Sequence, residues 1–187
     1  MIIELPNFVD SEKLNTINSF FESYISNKKF GIKEDSYRDG TSIPISHIKE
    51  LEEIDNLLQG IFGSRKLLGR IERRYRPEYS TGDSGYEFHR YYPGQICHIH
   101  GDSEIPTVKS KGESLLRFAS VVMHLNTPSN GAELVFPELD KTVKTEAGKI
   151  VVFPPYNFAQ HYTTASTDNR DVIVTWFVYD KIRAVNV

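Results

Sequence analysis

"GKIVVFPPYNFAQHYTTASTDNRDVIVTWFV", residues 148–178, sets two short β-branched and aromatic runs on either side of a stretch rich in Pro, Asn, Ser, Thr and Asp. Runs of this length, closed by turn formers, read as strands. The same texture extends backward through "AELVFP" (132–137), "LRFASVVMHLN" (116–126) and "YEFHRYY" (86–92). From about residue 66 onward the chain is expected to form a β sandwich or barrel.

Upstream the period changes. Leu14, Ile17, Phe20, Phe21, Tyr24 and Ile25 recur at helical spacing behind Asp10 and Ser11, which predicts a helix over 11–27. Ile48, Leu51, Ile54, Leu57, Leu58 and Ile61 repeat the pattern, with Gly60 and Gly63 as stops. Neither a linker nor an internal repeat divides helices from strands. The expectation is one domain over 1–187, in which helices within 1–65 brace a face of a β core built from 66–187.

Composition narrows the partners. The 25 acidic and 22 basic residues nearly balance, so no uniform field favours nucleic acid or an anionic membrane. Cys97 is the only cysteine, which excludes an internal disulfide framework and fits a reducing cytoplasm. The opening "MIIELPNFVDSEK" carries Glu4 and Pro6 within its apolar run, unlike a signal peptide or spanning helix. A soluble, cytoplasmic chain is expected, with no nucleic-acid or membrane partner. Its oligomeric state is not legible.

Chemistry concentrates in "YYPGQICHIHGDSE", residues 91–104, where His98, His100 and Asp102 alternate. If the segment is extended, all three share one face, and geometry alone leaves three candidate metal ligands. His161 follows the strand "GKIVVFPP" and the loop "YNFAQ", and Arg170 lies nine residues beyond it at the entrance of "DVIVTWF". Two histidines and one carboxylate on a β framework make the facial triad that holds Fe(II) with open positions. Those positions suit a bidentate 2-oxo acid plus dioxygen, whereas a structural zinc site is closed by four ligands. A 2-oxo acid with a second carboxylate needs a cation at its far end, and the planar fork of Arg170 matches that group. Arg170, Val172, Val174 and Trp176 share a strand face, so an inward Arg170 brings Trp176 in to close the pocket.

Taken in order, "RYYPGQICHIHGD" (90–102), "HLNTPSNGAELVFP" (124–137) and "GKIVVFPPYNFAQH" (148–161), followed by Arg170 and Trp176, resemble the 2-oxoglutarate and Fe(II)-dependent dioxygenases, within them the prolyl 4-hydroxylase-like branch. The resemblance covers about 86–180 closely and reaches more loosely to "LPNFVDSEKL" (5–14). It implies a mainly β (α+β) fold, a double-stranded β-helix or jelly-roll barrel with supporting N-terminal helices. Counted from Gly94, the family's metal and catalytic positions fall on His100, Asp102 and His161, leaving His98 outside. Arg170 matches the arginine that holds 2-oxoglutarate. Tyr91, Trp176 and His124 are the further residues placed toward the co-substrate, and Arg117 matches a position near the substrate mouth, though by itself it reads as an exposed strand end. The implied cofactors are Fe(II), 2-oxoglutarate and O2, with ascorbate as an optional reductant. The implied reaction hydroxylates a peptide or protein, at a prolyl residue, as 2-oxoglutarate is decarboxylated to succinate. Asp102 favours hydroxylation, since related halogenases vacate that ligand position for halide.

Several positions depart from the pattern. Ala132 replaces the second glycine of a Gly-Gly-Glu motif, Cys97 stands where an aromatic is frequent, and His124 stands where a tyrosine commonly donates to the co-substrate. A neutral histidine can also donate, and ordinary barrel packing explains His124 equally well. His47 and His89 receive no function. Two other readings stay open: a hydroxylase of a free amino acid or other small molecule, and a non-catalytic jelly-roll binding module. The nucleic-acid demethylating branch places a second arginine where Trp176 stands. The polar segments "PEYSTGDSG" (77–85) and "SEIPTVKSKGES" (103–114) are expected lids.

Overall fold

The computed structural model describes residues 1–27, 38–75, 82–103 and 116–179. In chain order the elements are β1 (Ile3–Leu5), α1 (Ser11–Asn27), β2 (Thr41–Pro44), α2 (Glu52–Phe62), α3 (Arg65–Tyr75), β3 (Gly82–Asp83), β4 (Glu87–Tyr91), β5 (Leu116–His124), β6 (Leu134–Phe136), β7 (Lys141–Val143), β8 (Ile150–Phe153), β9 (Tyr162–Thr163) and β10 (Arg170–Tyr179). A seven-stranded sheet runs β1-β8-β5-β10-β4-β2 with β3 also paired to β10, and a three-stranded sheet runs β7-β6-β9. All the pairings are antiparallel. This is the mainly β arrangement expected from the strand texture, and the jelly roll that the resemblance implies.

Period-two alternation divides the large sheet between two cores. Val121 and Met123 of β5 and Ile173 of β10 face α1, α2 and α3 and join Ile17, Phe21, Leu58 and Phe62 in one buried cluster. Val122, Val172 and Val174 face the other way, where they meet Leu134 and Phe136 of the small sheet. The helix α1 docks where Phe21 stacks on Phe88 of β4, ring centroids 4.1 Å apart at 13°. Such a pair contributes about 1 kcal/mol beyond its burial.

The helix periodicity over 11–27 corresponds to α1, and the second pattern to a 3-10 turn at Lys49–Leu51 running into α2. The Gly63 N–H closes α2 on the Gln59 carbonyl. The third helix, α3, lies at the boundary where strands were expected. Its buried stripe is only Leu67 and Ile71, set among arginine, lysine and glutamate, too narrow to stand out by hydrophobicity. The N-terminal region also supplies two strands: β1 pairs with β8, and β2 with β4. Both are too short for alternation to register. Of the expected lids, 77–81 and 104–114 lie outside the described residues, while Gly82–Asp83 pair with Phe177–Val178 of β10. Among the described residues no helix is long and apolar enough to cross a membrane.

The turn before β6 explains one departure from the family pattern. Gly131 and Ala132 both sit at φ 54°, so Ala132 adopts the left-handed conformation that glycine takes more easily. Its carbonyl accepts the Thr145 hydroxyl at 2.6 Å, which holds the turn in place. Gly131 has no such latitude, because a Cβ there would lie 1.8 Å from the Ala165 carbonyl oxygen. Gly131→Ala is expected to cost on the order of 3 kcal/mol, from strain plus a backbone clash, measured by urea unfolding. An unchanged midpoint would refute this account of the turn.

Candidate metal centre

His100 and His161, far apart in sequence, meet as an isolated antiparallel bridge. The His100 N–H donates to the His161 carbonyl at 3.1 Å, and the His161 N–H to the His100 carbonyl at 3.0 Å. Their rings lie 4.4 Å apart, and Asp102 Oδ1 is 3.5 Å from His100 Nε2. Each of the three residues offers a ligand atom, and these atoms all lie within 4.8 Å of one another.

The backbone also selects which ring nitrogens point inward. His100 Nδ1 is 2.8 Å from the His98 carbonyl and His161 Nδ1 is 3.3 Å from that of Ala159. Each Nδ1–H donates there, which leaves the Nε2 lone pair for a metal. Residues 96–102 do not form the continuous strand that would turn 98, 100 and 102 to one face. His98 is instead half exposed and reaches Asp39 at 3.2 Å, while Asp102 is buried.

Asp102 is fixed from behind. Arg117 Nη1 donates to its backbone carbonyl at 2.8 Å, and the same guanidinium lies 3.9 Å over the Trp176 ring. Arg117 is therefore buried rather than an exposed strand end, because the Trp176 face shields it. Burial would raise the Asp102 carboxyl, but the His100 hydrogen bond and the neighbouring His161 and His100 charges hold it well below its usual range. Burial opposes charge on His100, yet its contacts to Asp102 and Cys97 raise it to about 10. His161 lacks such a hydrogen bond to a carboxylate, and burial lowers it to about 4.

The three residues line a cavity that also takes in Tyr91, Arg170 and Trp176. Arg170 opens β10 directly across from Tyr91, its guanidinium 5.2 Å from the ring centroid. It is 4% exposed, and its Nε has no hydrogen-bond partner among the described residues. His124 shares the face of Ser120 and Val122 on β5 and is fully buried, with neither ring nitrogen partnered among the described residues. It stands outside the lining of the cavity. Burial, with the Arg170 and Lys149 charges, keeps it neutral. Among the lining residues to which sequence reasoning gave no role are Arg38 and His89. His89 was reachable by stepping back two residues along β4 from Tyr91. Arg38 was not, since only its bridge to Cys97 brings it to the site.

A divalent metal fits this donor set: two imidazoles and one ionised carboxylate converge, with an unpartnered buried arginine Nε in the same cavity for an anion. The sequence profile of the 2OG-Fe(II) oxygenase superfamily matches residues 86–178, the span that holds all three converging side chains. The chain belongs to that superfamily. It is a 2-oxoglutarate-dependent dioxygenase, and its cofactors are Fe(II), 2-oxoglutarate and O2. Among solved structures it is similar to the viral collagen prolyl hydroxylase of Paramecium bursaria Chlorella virus-1 in its 2-oxoglutarate complex (14% identity, 96% of each chain, TM-score 0.71). It is also similar to a Pseudomonas putida prolyl-4-hydroxylase (16% identity, 96% of this chain and 92% of that one, TM-score 0.65). A third is the Trichoplax adhaerens prolyl hydroxylase bound to a peptide fragment of the hypoxia inducible factor oxygen degradation domain (16%, 100% and 87%, TM-score 0.74). No curated protein matches the sequence significantly.

The buried histidines of this oxygenase set the acid response of its metal-free form. His89, His124 and His161 all have folded values below the ordinary 6.5, so the unfolded chain takes up protons there that the folded chain refuses. Stability is then fully present above 6.5 and falls with pH from there toward 4, at up to about 1.4 kcal/mol per unit for each histidine. His100, raised, works the other way: its contribution is fully present well below 6.5 and is lost as pH rises toward 10, so it offsets part of the slope only near 6.5. Urea unfolding of the metal-free protein at stepped pH is expected to show a steep loss between 6.5 and 5. A midpoint that stays level across this range would contradict the burial of the three rings.

Proposed function

We propose that His100, Asp102 and His161 hold the Fe(II), that Arg170 takes the distal carboxylate of 2-oxoglutarate, and that the substrate is a prolyl residue in a peptide or protein. The observation that carries the reading is the meeting of two histidines and one ionised carboxylate in a cavity that also contains a buried arginine. The metal with its co-substrates supplies the oxidising chemistry, in which 2-oxoglutarate loses CO2 to become succinate and one oxygen atom enters a C–H bond.

The residues of the chain perform the positioning. The His98 and Ala159 carbonyls orient the two imidazoles. Arg117 fixes the backbone of Asp102, and through its stacking fixes the Trp176 ring that borders the site. Val122, Val172 and Val174 line the cavity beside Arg170 with apolar surface, which would strengthen a charge-assisted bond formed there. Tyr91, kept in its phenol form by burial and by Cys97 beside it, adds a neutral wall next to Arg170.

Support for a prolyl substrate comes from the names of the three structural neighbours and from the apolar rim. Ile99 beside His100, and Tyr156 and Phe158 on the loop before His161, are exposed. That loop packs against the residues around Asp102, with Ser103 N–H on the Pro155 carbonyl at 2.8 Å. Aromatic surface suits a proline ring, and the polyproline II bias of proline-containing segments lowers the ordering cost of binding.

Replacing His100, Asp102 or His161 by alanine is expected to abolish turnover and stoichiometric iron, whereas His98→Ala keeps both. Iron lost from His98→Ala and kept in His100→Ala, by metal analysis, would overturn the ligand set. Incubation with proline-rich peptides is expected to add one oxygen to proline, dependent on 2-oxoglutarate and absent in His161→Ala, read by mass spectrometry. Succinate formation stimulated by a free amino acid and by no peptide would instead assign a small-molecule substrate.

A further inference from the structure

Besides Arg170, the cavity contains a second buried arginine. Arg38 precedes β2, is 5% exposed and lines the cavity together with the three converging residues. Its backbone pairs with Cys97, whose Sγ is 3.7 Å from His100 Nδ1, so Arg38 enters from the His100 side. Arg170 enters from β10, and Tyr91 is subject to the charges of both.

A relay orients Arg38. Its Nη1 lies against both ring nitrogens of His89, 2.8 Å from Nδ1, and His89 Nε2 also lies 3.0 Å from Glu87 Oε2. The Ser42 hydroxyl donates to the same carboxylate oxygen at 3.3 Å. Glu87, His89 and Tyr91 alternate along β4 and so share its face. Burial and the Arg38 charge hold His89 at about 4, so it accepts from the guanidinium rather than repelling it. Burial would raise Glu87, but His89 and Arg38 bring it down to about 2, and it lies 3.9 Å from Arg38. The carboxylate therefore balances the charge of Arg38 from beyond hydrogen-bond distance.

We propose that Arg38 is a second carboxylate-binding residue of the cavity, taking the carboxylate that adjoins the keto group of 2-oxoglutarate while Arg170 takes the distal one. The inference rests on the co-substrate assignment proposed above. A dianion with a charge at each end matches two arginines that enter from different sides.

Calorimetry on protein loaded with Mn(II) under nitrogen, with 2-oxoglutarate and with 2-oxopentanoate, which lacks the distal carboxylate, tests this. Arg38→Gln is expected to weaken both ligands by a similar factor, on the order of 100-fold, with Mn(II) affinity unchanged. Arg38→Lys, which keeps the charge, is expected to recover part of the loss, and Arg170→Gln to weaken 2-oxoglutarate only. An Arg38→Gln penalty that disappears with 2-oxopentanoate would put Arg38 at the distal end and overturn the proposal. Unchanged binding of both ligands would overturn it as well, whether or not the KM for a peptide rises, and so would loss of Mn(II). Wild-type protein that binds neither ligand would instead remove the co-substrate reading itself.

Discussion

The buried ion pair between Arg90 and Asp171 holds the register on which the cavity depends. Arg90 Nε and Nη2 reach the two carboxylate oxygens of Asp171 at 2.8 and 2.6 Å, across the β4–β10 ladder, and Nη2 also meets Glu22 of α1. The next pair along the same ladder is Tyr91 with Arg170. Because side chains alternate, Arg90 and Asp171 face the helices while Tyr91 and Arg170 face the cavity. A slip of one residue would send Arg170 into the helix layer and bring Asp171 inside. Ion pairs of this kind add little net stability, since desolvation offsets most of the attraction. What this pair supplies is discrimination between two registers that apolar packing alone distinguishes less sharply.

The same alternation explains how much could be read from the sequence. Residues on long strands were legible: Arg170, Val172, Val174 and Trp176 follow from one another, and α1 follows from its apolar spacing. The converging histidines and carboxylate were legible by type and order, but their register was not. The segment holding His98, His100 and Asp102 is irregular, and its conformation is set by single bridges to Arg38 and to His161 that leave no periodic trace. Arg38 was invisible for the same reason, and α3 because charge outnumbers apolar residues on its surface. Arg117 looked exposed at a strand end, and only the Trp176 ring packed over it reverses that reading. Local pattern reports elements well, whereas contacts made once, between distant segments, must be seen in three dimensions.

The cavity also separates its charges by distance rather than by screening. His100 and Asp102 pair at one place, Arg170 sits across from Tyr91 at another, and Arg38 is held through a neutral imidazole to Glu87. Valines fill the intervening wall. Each polar group thus has a neighbour of its own that orients it, so the inner surface can present donors without their collapsing onto one another.

The two reciprocal hydrogen bonds between the His100 and His161 backbones have a thermodynamic consequence. They join segments about sixty residues apart, and closing a loop of that length costs several kcal/mol of chain entropy. The two main-chain bonds offset part of that closure cost, a contribution that small zinc domains draw from the metal itself. The spacing of the two imidazoles is thereby set by main-chain geometry.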